Sequence, residues 1–401
     1  VGSEMCIRDS SGASLYLGSY ASGNNYMDMS AITPSSMQLN KLKWETTTEY
    51  NTGLDATFLK GKLRFTVDVY QKYVKDLLQP KVKMPTTIGY GNGYQISYMN
   101  SGKMTNKGWE FRVDAVPFQN KDWRVGVYFN IAHNENKITE MPDNYIEENY
   151  TFGNGNYAYR REEGRPMGSF YGYRYKGVYQ NKDATYARDI EGNVMKDISG
   201  NAIVMRNGSY TVAPGDAIYE DVNHDGVINQ YDIVYLGNSN PRLTGGAGLN
   251  VSYKQFKLSA IFYGRYGQDV VNATRLNNES MRGIDNQSTA VLRRWRNEGD
   301  QTDIPRALYG EGYNTLGSDR FVEDASYLRL KSLSFTYRLP KKAIQRWGFN
   351  NIDVYVTGYN LFTWTKYTGQ DPEVKTENTY ARDTATTPAS IQLVAGFNLS
   401  F

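Results

Sequence analysis

The chain has 401 residues, of which 14% are aromatic and 22% are charged, and its formal net charge is +3. A charge so close to neutral argues against a nucleic-acid-binding protein. The single cysteine, Cys6, excludes an internal disulfide and a cysteine-based zinc site, and the two histidines, His133 and His224, are too far apart in the chain to suggest a metal or catalytic cluster.

The amino-terminal region divides into two parts. Residues 1–10 differ in composition from everything that follows and have no signal-peptide organisation, so we expect an artefactual leader and a native chain that begins within the protein. Residues 11–42 are rich in Ser, Gly, Asn and Tyr, which predicts a loop. No stretch of the sequence approaches the ~18 consecutive apolar residues of a membrane helix.

From residue 43 onward, apolar and polar residues alternate in a series of short runs, which predicts half-buried strands. The nine predicted strands cover residues 43–59, 63–70, 109–115, 123–131, 249–253, 256–262, 333–339, 352–364 and 391–401. Several of them carry charged residues on their second face. That arrangement suits a water-filled lumen better than the dry core of a β-sandwich.

The final strand, residues 391–401, has the clearest pattern. One of its faces is apolar and includes Leu393, Phe397, Leu399 and Phe401, which we identify as the barrel-assembly strand residues. Its length matches the ~9–11 residues that a tilted strand needs to cross a bilayer. A soluble protein would expose this strand as an aggregation-prone edge, whereas a closed membrane barrel has no such edge.

The connections between the predicted strands alternate in length. Short turns follow residues 59, 118, 253 and 339, and long loops follow residues 78, 137, 266 and 364. Outer-membrane barrels have short periplasmic turns and long external loops, so the pattern predicts an antiparallel transmembrane β-barrel. An odd number of strands also predicts partner strands upstream of this sequence.

Local irregularities lead to two more expectations. Leu328 and Leu330 are out of phase with the strand that follows them, which predicts a β-bulge or a strand end beyond the membrane. Residues 288–297 place Val291, Leu292 and Trp295 on one face, which predicts an amphipathic helix.

The polar excursion at residues 138–242 contains a calcium-type motif at residues 221–232. The predicted Ca²⁺ ligands, all oxygen donors, are Asp221, Asn223, Asp225, the Val227 carbonyl, Asn229 and Asp232. Gly226 permits the sharp turn. The alternative is a metal-free turn held by side-chain hydrogen bonds. In either case the site is structural, because no nucleophile–base pair is recognisable near it, and no catalytic or ligand-binding residue is nominated.

Several ordered segments resemble the SusC/RagA family of TonB-linked outer-membrane proteins of Bacteroidetes. They are Leu42–Thr47, Lys75–Leu78, Asn100–Glu110, Gly164–Tyr173, Asp221–Asp232, Leu236–Pro241, Ser326–Lys331 and Tyr355–Thr365. The resemblance implies an all-β fold in which residues 11–401 are the C-terminal portion of a ~22-stranded receptor barrel in the cell outer membrane. The family's N-terminal plug and energy-coupling box have no counterpart in this sequence.

The resemblance also implies a function and partners. It implies TonB-dependent import of oligosaccharides or peptides, with a SusD-like lipoprotein at the outer mouth, TonB acting through the missing N-terminal region, and outer-membrane lipid around the barrel. No nucleic acid and no enzymatic activity are expected. The alternatives are a secreted soluble β-protein that contains calcium and binds or hydrolyses carbohydrate, and a passive porin.

Overall fold

The computed structural model describes residues 19–26, 29–39, 42–83, 95–141, 155–158, 161–345, 348–374, 376–377 and 380–400. The artefactual-leader assignment for residues 1–10 lies outside these ranges, as does Phe401. Within the described part of the chain, no helix combines the length and the apolar character needed to cross a membrane.

Nine long strands form one antiparallel sheet among the described residues, in agreement with the predicted number. They are β1 (Thr46–Phe58), β2 (Leu63–Lys75), β3 (Lys103–Gln119), β4 (Trp123–Glu140), β5 (Leu243–Tyr253), β6 (Phe256–Tyr266), β7 (Tyr327–Arg338), β8 (Asn351–Thr365) and β9 (Gln392–Ser400). Each strand pairs with its neighbours in sequence, so the sheet is a meander. The barrel is not closed, and β1 and β9 are the edges of the sheet.

The predicted alternation of connections is confirmed. The short ones are the 3₁₀ turn Leu59–Gly61, residues 120–122, residues 254–255, and residues 339–350 with the helix Lys341–Ile344. The long ones are residues 76–102, 141–242, 267–326 and 366–391. All the long connections therefore leave from one end of the sheet, which corresponds to the external side of an outer-membrane barrel.

The register of the sheet confirms the two predicted faces. Val127, Leu249, Ala260, Leu333 and Gly358 occupy directly paired positions on β4 to β8 and form one apolar row. The adjacent row faces the other side and is small and polar. Its members are Gly126, Asn250, Ser259, Ser334 and Thr357. Since side chains alternate along a strand, one face of the sheet is apolar and the other is polar over several strands.

The predicted irregularity after Leu330 is a β-bulge. Between β6 and β7 the register shifts at Lys331, and between β7 and β8 it shifts again around Asn360. Asn360 has a positive φ of 53°. The bulge adds one residue to β7 at Lys331. Leu328 and Leu330 are therefore out of phase in sequence with the alternation that starts at Leu333, but Leu328, Leu330 and Leu333 all lie on the same outward face.

Three expectations about the connections are corrected. Residues 11–42 are not entirely loop, because Ser19–Tyr26 pairs with Met29–Ser36 in a hairpin, and the connection after β2 contains a second hairpin, Leu78–Lys83 with Gln95–Asn100. The predicted helix at residues 288–297 is wrong. Only Thr289–Arg293 is helical, as a 3₁₀ turn capped by Ser288, and Leu292 is exposed while Val291 and Trp295 are buried.

The described residues of 141–242, 267–326 and 366–391 pack together into one unit, which we call the loop body. It begins after Glu140, because β4 extends past the predicted boundary at residue 138. Its short strands are Ser169–Gly172, Tyr175–Val178, Arg206–Asn207, Tyr210–Thr211, Ala217–Tyr219, Val234–Asn238, Asp269–Asn272, Val322–Asp324, Thr376–Glu377 and Tyr380–Asp383. Its helical turns are Asp183–Thr185, Gln230–Asp232, Ala273–Asn278, Thr289–Arg293, Tyr313–Thr315 and Asp319–Phe321.

Candidate functional site

Aromatic side chains mark both ends of the apolar face. At the end with the short turns, Trp123 lies 4.3 Å from Tyr253 and Phe256 lies 4.9 Å from Tyr337, measured between ring centroids. At the opposite end, Trp364 and Tyr266 are exposed on the same face. Two aromatic girdles around an apolar band are the arrangement of a membrane barrel, and a soluble protein would bury such a face.

Three of the predicted barrel-assembly residues, Leu393, Phe397 and Leu399, lie on β9, at the edge of the sheet, and the fourth, Phe401, lies outside the described residues. Leu393 and Phe397 are 76% and 67% exposed and Leu399 is 41% exposed, so their side chains face the surroundings on the apolar side. They pair with Gly358, Val354 and Ile352 of β8. Leu393, Phe397 and Leu399 therefore lie on the outward face, and the role of the predicted set in barrel assembly stays a prediction.

The core of the loop body is built largely from tyrosine. Tyr171, Tyr173, Tyr179, Tyr219 and Tyr313 are all buried and pack with Ile228, Leu316 and smaller side chains. The hydroxyl of Tyr219 accepts a hydrogen bond from the Leu316 amide at 3.1 Å. Because tyrosine combines a large apolar ring with a polar end, it can fill a core in segments that contain few aliphatic residues.

A buried ion pair joins two of the long connections. Asp216 is fully buried, and its Oδ1 accepts hydrogen bonds from Arg306 Nε at 2.7 Å and from Asn314 Nδ2 at 3.1 Å. The carboxylate also accepts a hydrogen bond from the Tyr210 hydroxyl at 2.6 Å and holds the pKa of Arg306 above its usual value. No local pattern in the sequence pointed to this pair, because its two members are 90 residues apart.

A second group of ion pairs attaches the last long connection to the polar face of the sheet. Arg329 of β7 is 97% buried, and its Nη1 and Nη2 donate to Glu373 at 2.8 Å and to Asp371 at 2.5 Å. Lys331, the bulge residue, also donates to Glu373 at 2.8 Å. These ion pairs therefore hold Asp371 and Glu373 of the last long connection against β7 near its external end.

The calcium-type loop is folded in the turn that its motif predicts. Gly226 has a φ of 79°, and Ile228 is fully buried in the tyrosine core, where it anchors the loop. Oxygen atoms of Asp221 and Asn223 accept hydrogen bonds from the Asp225 backbone amide at 3.2 Å and 3.3 Å, and Asp225 Oδ1 accepts one from the Val227 amide at 2.8 Å. This part of the site has the oxygen donors that a hard cation prefers, and its hydrogen bonds are also those of the metal-free turn.

The second half of the loop is arranged differently. Asp232 Oδ1 and Oδ2 accept hydrogen bonds from the amides of Val222 and Asn229, each at 2.8 Å. The Asn229 side chain accepts from the Tyr231 amide and donates to the Val227 carbonyl at 3.1 Å. Across the described residues, no three His, Cys, Asp or Glu side chains are grouped as a metal site. Calcium binding here stays a prediction.

The electrostatics of the loop favour a cation even so. Burial raises the pKa of Asp232 above its usual value, and the negative charges of Asp221 and Asp225 raise it further. A carboxylate oxygen that accepts one hydrogen bond retains a lone pair that can bind a metal ion. A divalent cation between these residues would offset the repulsion among the three carboxylates.

Comparison with known proteins gives consistent matches over most of the sequence. The family model described as TonB dependent receptor-like, beta-barrel, matches residues 10–361. TonB-dependent receptor P3 of Formosa agariphila is 32% identical over 346 residues, which are 84% of this chain and 32% of that protein. TonB-dependent receptor SusC of Bacteroides thetaiotaomicron is 29% identical over 391 residues, which are 95% of this chain and 34% of that protein.

The solved structure of the RagAB peptide transporter is also similar. It superposes with a TM-score of 0.70 at 27% sequence identity, and the match covers 97% of this chain and 39% of the solved chain. A second RagAB structure, the importer in the open-open state, gives a TM-score of 0.70 at 26% identity. The chain therefore spans about a third of the length of the curated relatives it matches.

Proposed function

This chain belongs to the TonB-dependent receptor-like β-barrel family and is a SusC/RagA-type outer-membrane protein, and from this we propose that it is the C-terminal barrel part of a TonB-dependent importer. The observation that carries the proposal is the nine-stranded sheet with an apolar outward face, a polar inward face and all its long connections at one end. Proteins of this family act as transporters, so we propose a role in uptake and no catalytic role.

The proposed cargo is an oligosaccharide or a peptide. The RagAB neighbours are named as a peptide transporter and a peptide importer, which supports a peptide. The name of SusC mentions no cargo, so the similarity to SusC is compatible with an oligosaccharide as the cargo. The loop body would form the external mouth that meets the cargo, because the long connections emerge there.

Growth of the host on defined nutrients tests this proposal. The gene that encodes this chain is deleted and restored, and growth is measured on a panel of oligosaccharides and on a panel of peptides as the only carbon source. We expect a defect on members of one panel that the restored gene corrects and that disappears when free monosaccharides or amino acids are supplied. Unchanged growth on both panels, with the protein present in the parent's outer membrane, would contradict the import role.

We further propose two protein partners, a SusD-like lipoprotein at the external mouth and TonB acting through a part of the receptor outside this sequence. The likeness to the RagAB peptide transporter supports the first, because we take the joint name RagAB to denote a receptor together with a second protein. Affinity purification of the tagged receptor from detergent-solubilised outer membrane, followed by mass spectrometry, tests it. We expect a lipoprotein in near-equal amount. Recovery of the receptor alone, under conditions that keep it folded, would count against this partner.

Calcium is the proposed structural ion of residues 221–232. The oxygen-bearing side chains that Asp221, Asn223 and Asp225 place within one tight turn support it, and bound calcium would fix the turn that carries Ile228 into the core. We expect calcium to slow proteolysis of the loop body and chelator to reverse that effect. Asp225→Ala should remove the calcium response, whereas Asp197→Ala should keep it, because Asp197 stabilises a separate turn in the same unit. A digestion pattern insensitive to calcium would refute the proposal.

A further inference from the structure

The outward face of the sheet contains a groove near its external end. Ile131, Gly245, Gly264, Leu328 and Trp364 occupy directly paired positions on β4, β5, β6, β7 and β8. The two central members of this row are glycines, so a depression two strands wide lies between the side chains of Ile131 and Leu328. Side chains at paired positions lie on the same face of a sheet, and these therefore share the outward face.

The next row toward the middle of the membrane extends the depression. Here Phe129, Ala247 and Phe262 are paired across β4, β5 and β6, and the central member is again small. The resulting groove has a volume of about 720 Å³ and an outline that includes Phe129, Leu243 and Trp364. That volume falls within the roughly 300–1,000 Å³ of ligand-binding pockets.

The walls of the groove are large, apolar and uncovered. Phe129, Leu328 and Trp364 are 45%, 47% and 52% exposed, so no described part of this chain covers them. Because the protein lies in the outer membrane and this face is its apolar one, hydrocarbon meets the groove on the membrane side of the girdle residue Trp364. An acyl chain lying along β5 would contact the aromatic and aliphatic walls on both sides as well as the small-residue floor.

The external end of the groove is polar. Lys366, the first residue after β8, lines it, is exposed and forms no ion pair among the described residues. Asp324 also lines this end, but its Oδ1 accepts hydrogen bonds from the Ser326 amide at 2.9 Å and from the Ser326 hydroxyl. The rim thus presents the Lys366 ammonium group, with the Asp324 carboxylate turned toward Ser326 beside it, at the level where lipid headgroups meet water.

We propose that this groove is a binding site for one membrane lipid of the outer leaflet, with an acyl chain on the Gly245–Gly264–Ala247 floor and an anionic phosphate headgroup at Lys366. Two features argue for this occupant. The groove is continuous with the hydrocarbon-facing band, and the lysine at its upper end complements a phosphate. An unfilled groove would leave its walls without partner atoms, so a chain that fits it is retained longer than an ordinary annular lipid.

The two glycines themselves are poor positions for a test. A Cβ at Gly245 would lie 2.6 Å from the Asn130 carbonyl oxygen, and one at Gly264 would lie 2.7 Å from that of Tyr327. Substitution there would disturb the strand pairing as well as the groove. Ala247→Leu fills the floor without that problem. Ala395→Leu is its matched control, because Ala395 lies on the outward face of β9, away from the groove.

The experiment uses the full-length protein, purified from the outer membrane and reconstituted in nanodiscs of dioleoylphosphatidylcholine with a minor fraction of dioleoylphosphatidylglycerol. Lipids that remain bound after release from the nanodisc are counted by native mass spectrometry. We expect one retained phosphatidylglycerol on the parent protein and on Ala395→Leu. For Ala247→Leu we expect retention to fall about tenfold, because the larger side chain excludes roughly two methylene groups of the acyl chain from apolar contact with the floor.

Lys366→Gln provides an independent variant, since it changes a residue outside the strands and leaves the groove floor intact. It should abolish the preference for phosphatidylglycerol over phosphatidylcholine. The proposal fails if the parent protein retains no lipid, if Ala247→Leu and Ala395→Leu retain it equally, or if Ala247→Leu loses a co-purified protein instead of a lipid. If Ala247→Leu does not insert, an unchanged preference in Lys366→Gln overturns the proposal.

Discussion

The carboxylate of Asp216 is fully buried, and its Oδ1 lies 2.7 Å from Nε of Arg306 in a connection 90 residues further along the chain. This pair, together with Asn314, holds the connection after β4 against the connection after β6. The loop body is therefore joined by specific polar contacts as well as by its tyrosine core.

Arg306→Met should destabilise the loop body, because it leaves the buried Asp216 carboxylate without its cation. We expect a loss of roughly 3 kcal/mol, the low end for a broken buried pair, since the Arg306 side chain is 32% exposed. Limited proteolysis of the membrane-inserted protein would detect this loss of stability as faster cleavage within residues 161–326. Asp216→Asn combined with Arg306→Met should recover part of the loss, and a double variant less stable than Arg306→Met would contradict this account.

Leu249→Arg should impair membrane insertion far more than Asn250→Arg. These neighbours on β5 face opposite sides, Leu249 between Val127 and Ala260 and Asn250 between Gly126 and Ser259. An arginine on the lipid face costs roughly 2–4 kcal/mol near the bilayer midplane, whereas in the lumen it stays in water. The fraction of each variant recovered in heat-modifiable form from the outer membrane measures the difference. Equal recovery would invalidate the assignment of faces.

Gly215→Ala should be much more damaging than Gly192→Ala. Both glycines have a φ of +87°, but a Cβ at Gly215 would lie 2.2 Å from Trp295 Cε3, whereas a Cβ at Gly192 would meet nothing within 4 Å. Gly192→Ala should therefore cost only the roughly 1–2 kcal/mol of a left-handed alanine. Gly215→Ala should in addition displace the buried Trp295 ring. Thermal unfolding of the loop body, monitored by protease susceptibility, would rank the stability of the two variants. Similar unfolding midpoints would disprove the contact between Gly215 and Trp295.

Arg329→Gln should release the connection at residues 366–391 from β7. The substitution removes the guanidinium group that binds Asp371 and Glu373. The Arg329 side chain is only 3% exposed, so water cannot replace these ion pairs without opening the contact. Arg338→Gln on the same strand is the control, because its ion pair with Asp353 is solvent-exposed at the arginine end. We expect new protease cleavage after Lys366 in Arg329→Gln alone. The same cleavage pattern in both variants would mean that the ion pairs do not hold this connection.

The sequence was sufficient to predict the strands of the sheet, but it was not sufficient to predict the conformation of the connections between them. The alternation around Leu63–Tyr70 and Trp123–Ile131 depends only on neighbouring residues, so it predicted both faces, which the register confirms. In the connections, the apolar spacing at Val291, Leu292 and Trp295 was misread as a helical face. The structure has a 3₁₀ turn there and buries Trp295 against Gly215, a residue from another connection.

The predicted metal ligands divide in the same way. Asp221, Asn223 and Asp225 lie within one turn, and a local motif was enough to predict that turn, in which the Asp221 and Asn223 side chains accept from the Asp225 amide. Asp232, by contrast, is fully buried, and its two oxygens accept hydrogen bonds from the amides of Val222 and Asn229. Sequence spacing carries no information about that burial, so calcium binding has to be measured.

The sequence alone therefore determined which residues of the membrane sheet meet lipid and which meet water, because side-chain direction in a strand follows from a two-residue repeat. Only the tertiary structure decided how the long connections pack, which charges they bury and where the outward face is hollow. Those features depend on pairs such as Asp216 with Arg306 and Gly264 with Leu328, whose proximity comes from the folding of the whole chain and from no local pattern.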